Sequence, residues 1–328
     1  MINNQEKTWV EKYRPTKLSD ISSQQNVIGA LKNVAREKNI PHLIFFGPSG
    51  CGKTSTILAL AKDIFKHEFE NRTIELNASD ERGISVIRNK IKKYAKFSVN
   101  SKNKSIPRWK LIILDEADSM TSESQCALRR IMEEYSHITR FCIICNYHNK
   151  IIDPIVSRCS LFRFKPIEKE LILEKLEEIC KLEKVVICKK DLKKIILISR
   201  GDMRKAINFL QKYQSINKNL TLDEIAGFIN IDILKEWLDD CINCTTNDNI
   251  IIEKIDMFFN NGYSMVNQMT NIKNLVLQSK NLSDYLKGEI IIKLMEIDQN
   301  LIKGCDEYIQ FLNLGYYIAN NKNIKKLI

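Results

Sequence analysis

Residues 47–54 read Gly47-Pro48-Ser49-Gly50-Cys51-Gly52-Lys53-Thr54, the complete pattern GxxxxGK[ST]. Glycines at 47, 50 and 52 let such a backbone curl until its N–H groups point at phosphate oxygens. Lys53 is spaced to reach the β- and γ-phosphates of a nucleotide, and the Thr54 hydroxyl to ligate Mg²⁺. A second stretch, Leu111-Ile112-Ile113-Leu114-Asp115-Glu116, puts two carboxylates directly after four apolar residues. Asp115 would hold the Mg²⁺ shell through water, and Glu116 would activate an attacking water. Asn146 follows a third apolar run, 141–145, where a polar side chain could hold that water near the γ-phosphate. Taken singly these stretches have blander readings, a Gly-rich turn with a chance lysine or a solvated acidic turn. In this order they spell nucleoside triphosphate hydrolysis.

That chemistry needs a strand before the loop and a helix after it. An apolar run, 42–46, precedes the loop and a helix-forming one, 55–65, follows. Through residue 165 short apolar runs alternate with helical patterns, which predicts a parallel α/β sheet. Strands are expected at 43–46, 73–77, 111–115, 140–145 and 161–164, and helices at 26–38, 54–65, 84–95, 122–134 and 151–156. The basic stretch 100–108 reads as an exposed loop. In open sheets of this class ligands sit at the carboxyl ends of the strands, where all three stretches would lie.

Strand patterns stop after Pro166. Leu171, Leu173, Leu176, Ile179 and Leu182 suggest one helical stripe, and Gly201-Asp202 reads as a break followed by an N-cap. Leu286, Ile290, Leu294, Ile297 and Leu301 recur at steps of three and four, the apolar face of a bundled helix. These patterns predict three domains: 1–165 around the sheet, a small helical domain at 166–230, and an all-helical one at 231–328.

The chain has 328 residues, enough for several cores, and a net charge of +11 that suits a polyanionic partner. No apolar stretch approaches the length of a membrane span and no signal peptide is evident, so an intracellular protein that does not engage membranes is expected. Its ten cysteines include two CxxC pairs. Cys142 and Cys145 fall within an apparent strand and so face opposite sides, while Cys241 and Cys244 stand far from both; neither pair suggests zinc.

Asp115-Glu116-Ala117-Asp118 also spells the helicase DEAD box. A helicase of that kind needs a second sheet domain, for which the helical remainder leaves no room. Instead Arg158, in Ser157-Arg158-Cys159, and Arg204, in Gly201-Asp202-Met203-Arg204-Lys205, accompany a helical lid, the layout of AAA+ ATPases. The resemblance narrows further and runs along nearly the whole chain. Trp9-Val10-Glu11-Lys12-Tyr13-Arg14-Pro15, Glu75-Leu76-Asn77-Ala78-Ser79-Asp80-Glu81-Arg82-Gly83, Ala127-Leu128-Arg129-Arg130, Phe141-Cys142-Ile143-Ile144-Cys145-Asn146-Tyr147 and Asp306-Glu307-Tyr308-Ile309-Gln310-Phe311 are similar to the small subunits of replication factor C, the clamp loader. Two positions depart from that pattern: the family usually has Pro at the place of Ser49 and Thr at that of Cys51. A cysteine there would sensitise the loop to thiol reagents if its side chain is accessible.

The resemblance implies a P-loop AAA+ domain, a lid and an all-α collar, with ATP and Mg²⁺ as cofactors. Val10, Tyr13, Arg14 and Pro15 would lie on the adenine side; the alternative is an N-terminal arm packed on the lid. Gly47, Pro48, Ser49, Gly50, Cys51, Gly52, Lys53, Thr54 and Ser55 would bind phosphates, Asn146 would act as the first sensor and Arg204 as the second. Arg158 would be an arginine finger acting on a neighbouring subunit's ATP. Arg82, Arg88 and Lys150 would track the backbone of primer–template DNA without sequence preference. The partners implied are four other subunits in a hetero-pentamer, the sliding clamp and duplex DNA, in the nucleus. The region 91–97 and the loop that follows it are a candidate clamp contact. Another AAA+ DNA-remodelling machine, or a scaffold subunit that does not hydrolyse ATP, are the competing readings.

Overall fold

A computed structural model of the chain describes residues 7–21, 23–36, 40–79, 84–97, 106–215, 222–243 and 249–321. The chain forms two compact units, residues 1–211 and 212–328.

The first unit is built on five strands: β1 (His42–Phe46), β2 (Thr73–Asn77), β3 (Lys110–Asp115), β4 (Thr139–Cys145) and β5 (Cys159–Arg163). Their order is β2-β3-β4-β1-β5, and every pairing is parallel. Side chains alternate between two cores. Leu43, Phe45, Ile113, Cys142 and Ile144 enter one, and Ile44, Ile112, Leu114, Phe141 and Cys145 the other. Cys142 and Cys145 therefore lie on opposite faces, as the strand period requires. A one-residue slip of any central strand would exchange its two faces, so burial fixes the register. The register in turn fixes the strand ends. β3, β4 and β1 are adjacent, and they deliver Asp115, Asn146 and the loop after Phe46 to one edge.

Four strands, β1, β3, β4 and β5, begin one or two residues earlier than expected. Lys110 and Thr139 open β3 and β4 although both are polar and buried. The Lys110 ammonium is satisfied by the Tyr94 carbonyl and lies over the Tyr94 ring, and Thr139 Oγ1 donates to the Ala95 carbonyl. The helix expected at 151–156 is shorter, Asp153–Val156, because Pro154 favours the first turn. Of the loop expected at 100–108 only 106–108 is described, and Ile106 is buried rather than exposed.

Beyond β5 the described elements of this unit are the helices Lys169–Glu183 and Lys189–Ser199 and the part of Met203–Ser215 that lies before residue 212. The stripe expected on the first of these is rotated. Ile172, Leu176, Ile179 and Cys180 are buried, while Leu182 is exposed and Leu171 faces a cavity. The third helix is capped by Asp202, whose Oδ1 accepts from Lys205 N at 3.0 Å.

Every described element of the second unit is a helix. Its core gathers Trp237, Phe258 and Phe311 with Leu286, Ile290, Leu294 and Ile297, the expected stripe of the helix Asp284–Ile302. Leu301 packs against that core from its edge.

Candidate functional site

The loop 47–52 crosses the carboxyl end of β1 and runs into the helix Lys53–Phe65. Gly47, Gly50 and Gly52 all have positive φ. For two of them the protein itself supplies the reason. A Cβ on Gly47 would come within 2.2 Å of the Phe164 carbonyl oxygen, and one on Gly50 within 1.8 Å of Asp202 Oδ1. Neither contact leaves room for a side chain.

A cavity of about 250 Å³ opens beside the loop. Of the residues expected to hold nucleotide, Val10, Tyr13, Arg14, Pro15, Ser49, Gly50, Gly52, Lys53, Thr54, Ser55, Asn146 and Arg204 line it, with Asp115 and Glu116. Gly47, Pro48 and Cys51 do not. The carbonyls of Gly47 and Pro48 instead accept from Lys53 Nζ at 2.7 and 2.8 Å. Asn146 Oδ1 is a third acceptor at 3.1 Å, so each donor of this buried ammonium has a partner. The same bonds place Lys53 and Asn146 side by side.

Thr54 Oγ1 donates to Asp115 Oδ2 at 2.7 Å. A hydroxyl and a carboxylate converging in this way are hard oxygen donors of the kind Mg²⁺ takes, so the donor set fits that ion. Glu116 follows with left-handed backbone, φ 55°, and its N–H donates to Asp115 Oδ1 at 2.9 Å. That turn carries the Glu116 side chain out of the sheet and into the cavity wall, where it is exposed.

The N-terminal segment has both of its expected characters. It lines the cavity and it also packs on two of the helices that follow β5. Lys12 Nζ and Tyr13 Oη both donate to Glu183 Oε1, at 2.6 and 2.5 Å, and Trp9 N donates to Gln211 Oε1 at 3.2 Å. Lys12 first, then Tyr13, hold the Glu183 carboxyl below its usual range. Arg14 Nε donates to Ser55 Oγ at 3.3 Å, tying the segment to the helix after the loop. Further wall residues, among them Ile21, Ile167, Leu171 and Ile207, are apolar and would suit a flat base. No motif announces them; for Leu171 and Ile207 only the phase of their helices could have.

Arg158 lies outside this cavity. Its guanidinium is exposed, donates to the Pro154 carbonyl at 2.6 Å and pairs with Glu133 at 2.5 Å. Lys150 is likewise exposed, its ammonium 5.7 Å from the centre of the Tyr147 ring. Arg82 falls outside the described residues, and Arg88 lies on the helix Ile84–Lys96. In the region 91–97, Ile91 and Ala95 are core residues, which leaves Lys92, Lys93, Lys96 and Phe97 on the surface.

Cys51 is 1% exposed and packs in the core beneath the loop, with Sγ 2.9 Å from the Pro48 carbonyl. Burial, outweighing nearby Lys53, pushes its thiol pKa up. The accessibility on which thiol sensitivity depends is therefore missing. Brief treatment of the native protein with N-ethylmaleimide should label the exposed Cys126, Cys188 and Cys305 and spare Cys51, with or without ATP. Labelling of Cys51 at the rate of Cys188, read by peptide mass spectrometry, would contradict this placement.

Known proteins resemble the chain in the same two parts. Residues 43–167 match the ATPase family associated with various cellular activities (AAA), and residues 229–316 match the replication factor C C-terminal domain. Replication factor C subunit 2 of Schizosaccharomyces pombe is 42% identical over 93% of this chain and 92% of its own length. Replication factor C subunit 4 of Homo sapiens is 41% identical over 93% of this chain and 86% of its own. Among solved structures, the RuvB Holliday junction branch migration motor of Thermotoga maritima superposes with a TM-score of 0.51 at 15% identity, covering 84% of this chain and 97% of that one. At that identity the likeness shows the fold alone.

Proposed function

The chain belongs to the small subunits of replication factor C and is an AAA-type ATPase, and from that premise we propose that it binds ATP with Mg²⁺ and works in a hetero-pentameric clamp loader. The assembly would open the sliding clamp when ATP is bound and leave it closed around primer–template DNA after hydrolysis, in the nucleus. One observation carries this reading. Lys53, Thr54, Asp115, Glu116 and Asn146 converge on one cavity in a chain about 40% identical to such subunits along most of its length.

Each residue has a part that its position supports. The loop and Lys53 would grip the phosphates, Thr54 and Asp115 would hold the metal, and Glu116 would accept a proton from the attacking water that Asn146 would orient. Mg²⁺, when bound there, neutralises charge on the phosphate oxygens. Val10, Tyr13, Arg14 and Pro15 bound the base side. Arg204 reaches the cavity from the lid helix, so that bound phosphate is felt by the lid. Arg158, on another surface of the same unit, serves the neighbour's site. The basic positions Arg82, Arg88 and Lys150 follow duplex phosphates. A threefold division at 165 and 230 draws support from the end of the last strand at Arg163 and from a C-terminal family match that begins at 229, although the two compact units part at 211–212.

The direct test loads a labelled clamp onto nicked circular DNA with the purified assembly. Retention of the clamp after the nick is sealed should require ATP. DNA binding should weaken steeply with added salt and ignore sequence, as phosphate contacts do. Loading that proceeds without ATP, or an assembly that retains no nucleotide, rejects the reading.

A further inference from the structure

Where the lid helix Met203–Ser215 begins, it is fastened to the phosphate loop. Ser49 Oγ donates to Asp202 Oδ2 at 3.0 Å, and Met203 N donates to the Gly50 carbonyl at 3.2 Å. Asp202 is 7% exposed, and its other oxygen, Oδ1, caps the helix at Lys205. The bare Gly50 makes the approach possible, since any Cβ there would strike this carboxylate. The turn that presents Asp202 is itself held from behind. Ile167 N donates to the Gly201 carbonyl at 3.2 Å, and Arg200 and Gly201 both have positive φ. Arg204 lies two residues beyond Asp202, on the first turn of the same helix and in the cavity wall.

We propose that Ser49 and Asp202 form a latch between phosphate loop and lid, making both positioning residues that set where Arg204 stands relative to the nucleotide. The inference rests on the reading of the cavity as an ATP site. Its physical basis is a hydroxyl donating to a largely buried carboxylate, a charge-assisted bond stronger than one between neutral groups. The carboxylate divides its work. Oδ1 belongs to the helix and Oδ2 to the loop, so a shift of the loop around phosphates is passed directly to the helix start. The latch is particular to this chain's loop, because a proline at 49, the residue its resemblance suggests, carries no hydroxyl.

The test separates latch from cap. In Ser49→Ala the cap is intact and only the latch is gone. A fluorescent ATP analogue should leave the full-length variant roughly 10- to 100-fold faster, the range expected for one hydrogen bond to a charged group. In the assembly KM for ATP should rise by a similar factor. Ser49→Thr, which keeps the hydroxyl, should restore wild-type behaviour. Asp202→Ala removes latch and cap together, and adding Ser49→Ala to it should change nucleotide release no further. Additive effects of the two substitutions, or a Ser49→Ala protein that releases nucleotide at the wild-type rate, overturn the latch and leave the ATP reading standing. Wild-type protein that retains no ATP analogue overturns both. Should Asp202→Ala fail to fold, the pair Ser49→Ala and Ser49→Thr still decides.

Discussion

An assembly carrying Arg158→Ala should turn over ATP at the adjoining subunit's site about 10³- to 10⁵-fold more slowly, with nucleotide binding by this chain itself unchanged. The size follows from the work a guanidinium does on a phosphoryl group in transit, and corresponds to roughly 4–7 kcal/mol of barrier. Opposing it is the cost of releasing Arg158 from its present partners. These are the Pro154 carbonyl and Glu133, both at the surface, and Glu133 is also held by Arg129 at 3.0 Å. Exposed pairs of this kind contribute little in water, so the release is a minor term. Glu133 would keep Arg129 as its counter-ion after Arg158 has turned away. Lysine should not rescue the variant, since a point charge cannot match the planar fork that donates to several phosphate oxygens together. Turnover measured in an assembly whose other sites are silenced isolates the effect. Wild-type turnover there would place the finger on another residue.

Much of this architecture is legible in the residue order, for a physical reason. Strands buried on both faces must be apolar nearly throughout, and runs such as 111–114 and 141–145 have few other uses in a soluble domain. The carboxylates and Asn146 stand out because they end those runs. What escapes is anything decided by long-range contact. Ser49 and Asp202 lie 153 positions apart, and Tyr13 and Glu183 lie 170 apart, so no local pattern ties them. The stripe on Lys169–Glu183 was misphased because leucines occur all around that helix. Leu171 faces the cavity and Leu182 faces solvent, and only packing distinguishes them from the buried Leu176. Cys51 is a third case. A loop that curls around phosphate has no side-chain period, and nothing in its sequence says that position 51 turns into the core.

Position 116 gives the second large effect. Glu116→Gln should leave ATP affinity within about twofold and cut hydrolysis at this site by roughly 10²–10⁴, the usual contribution of a positioned general base. Two features of the site separate binding from chemistry here. Of the groups proposed to hold nucleotide, Lys53 is bonded to the Gly47 and Pro48 carbonyls and to Asn146, and Thr54 to Asp115, and none of these bonds uses the Glu116 carboxylate. Glu116 is placed by its backbone instead: the left-handed turn and the N–H bond to Asp115 Oδ1 persist whatever the side chain carries. Gln keeps the length and hydrogen-bonding capacity of Glu and loses the capacity to accept a proton. Asp115→Asn should behave differently, because it alters the partner of Thr54 and so weakens the metal's seat and nucleotide affinity together. The contrast between positions 115 and 116 is the informative measurement. A Glu116→Gln assembly should still open the clamp on binding ATP, and then stall with clamp and DNA held. If that variant hydrolyses and releases like the wild type, Glu116 is a surface carboxylate and the base must be sought elsewhere in the cavity, where Asp118 is the next acidic side chain in the wall.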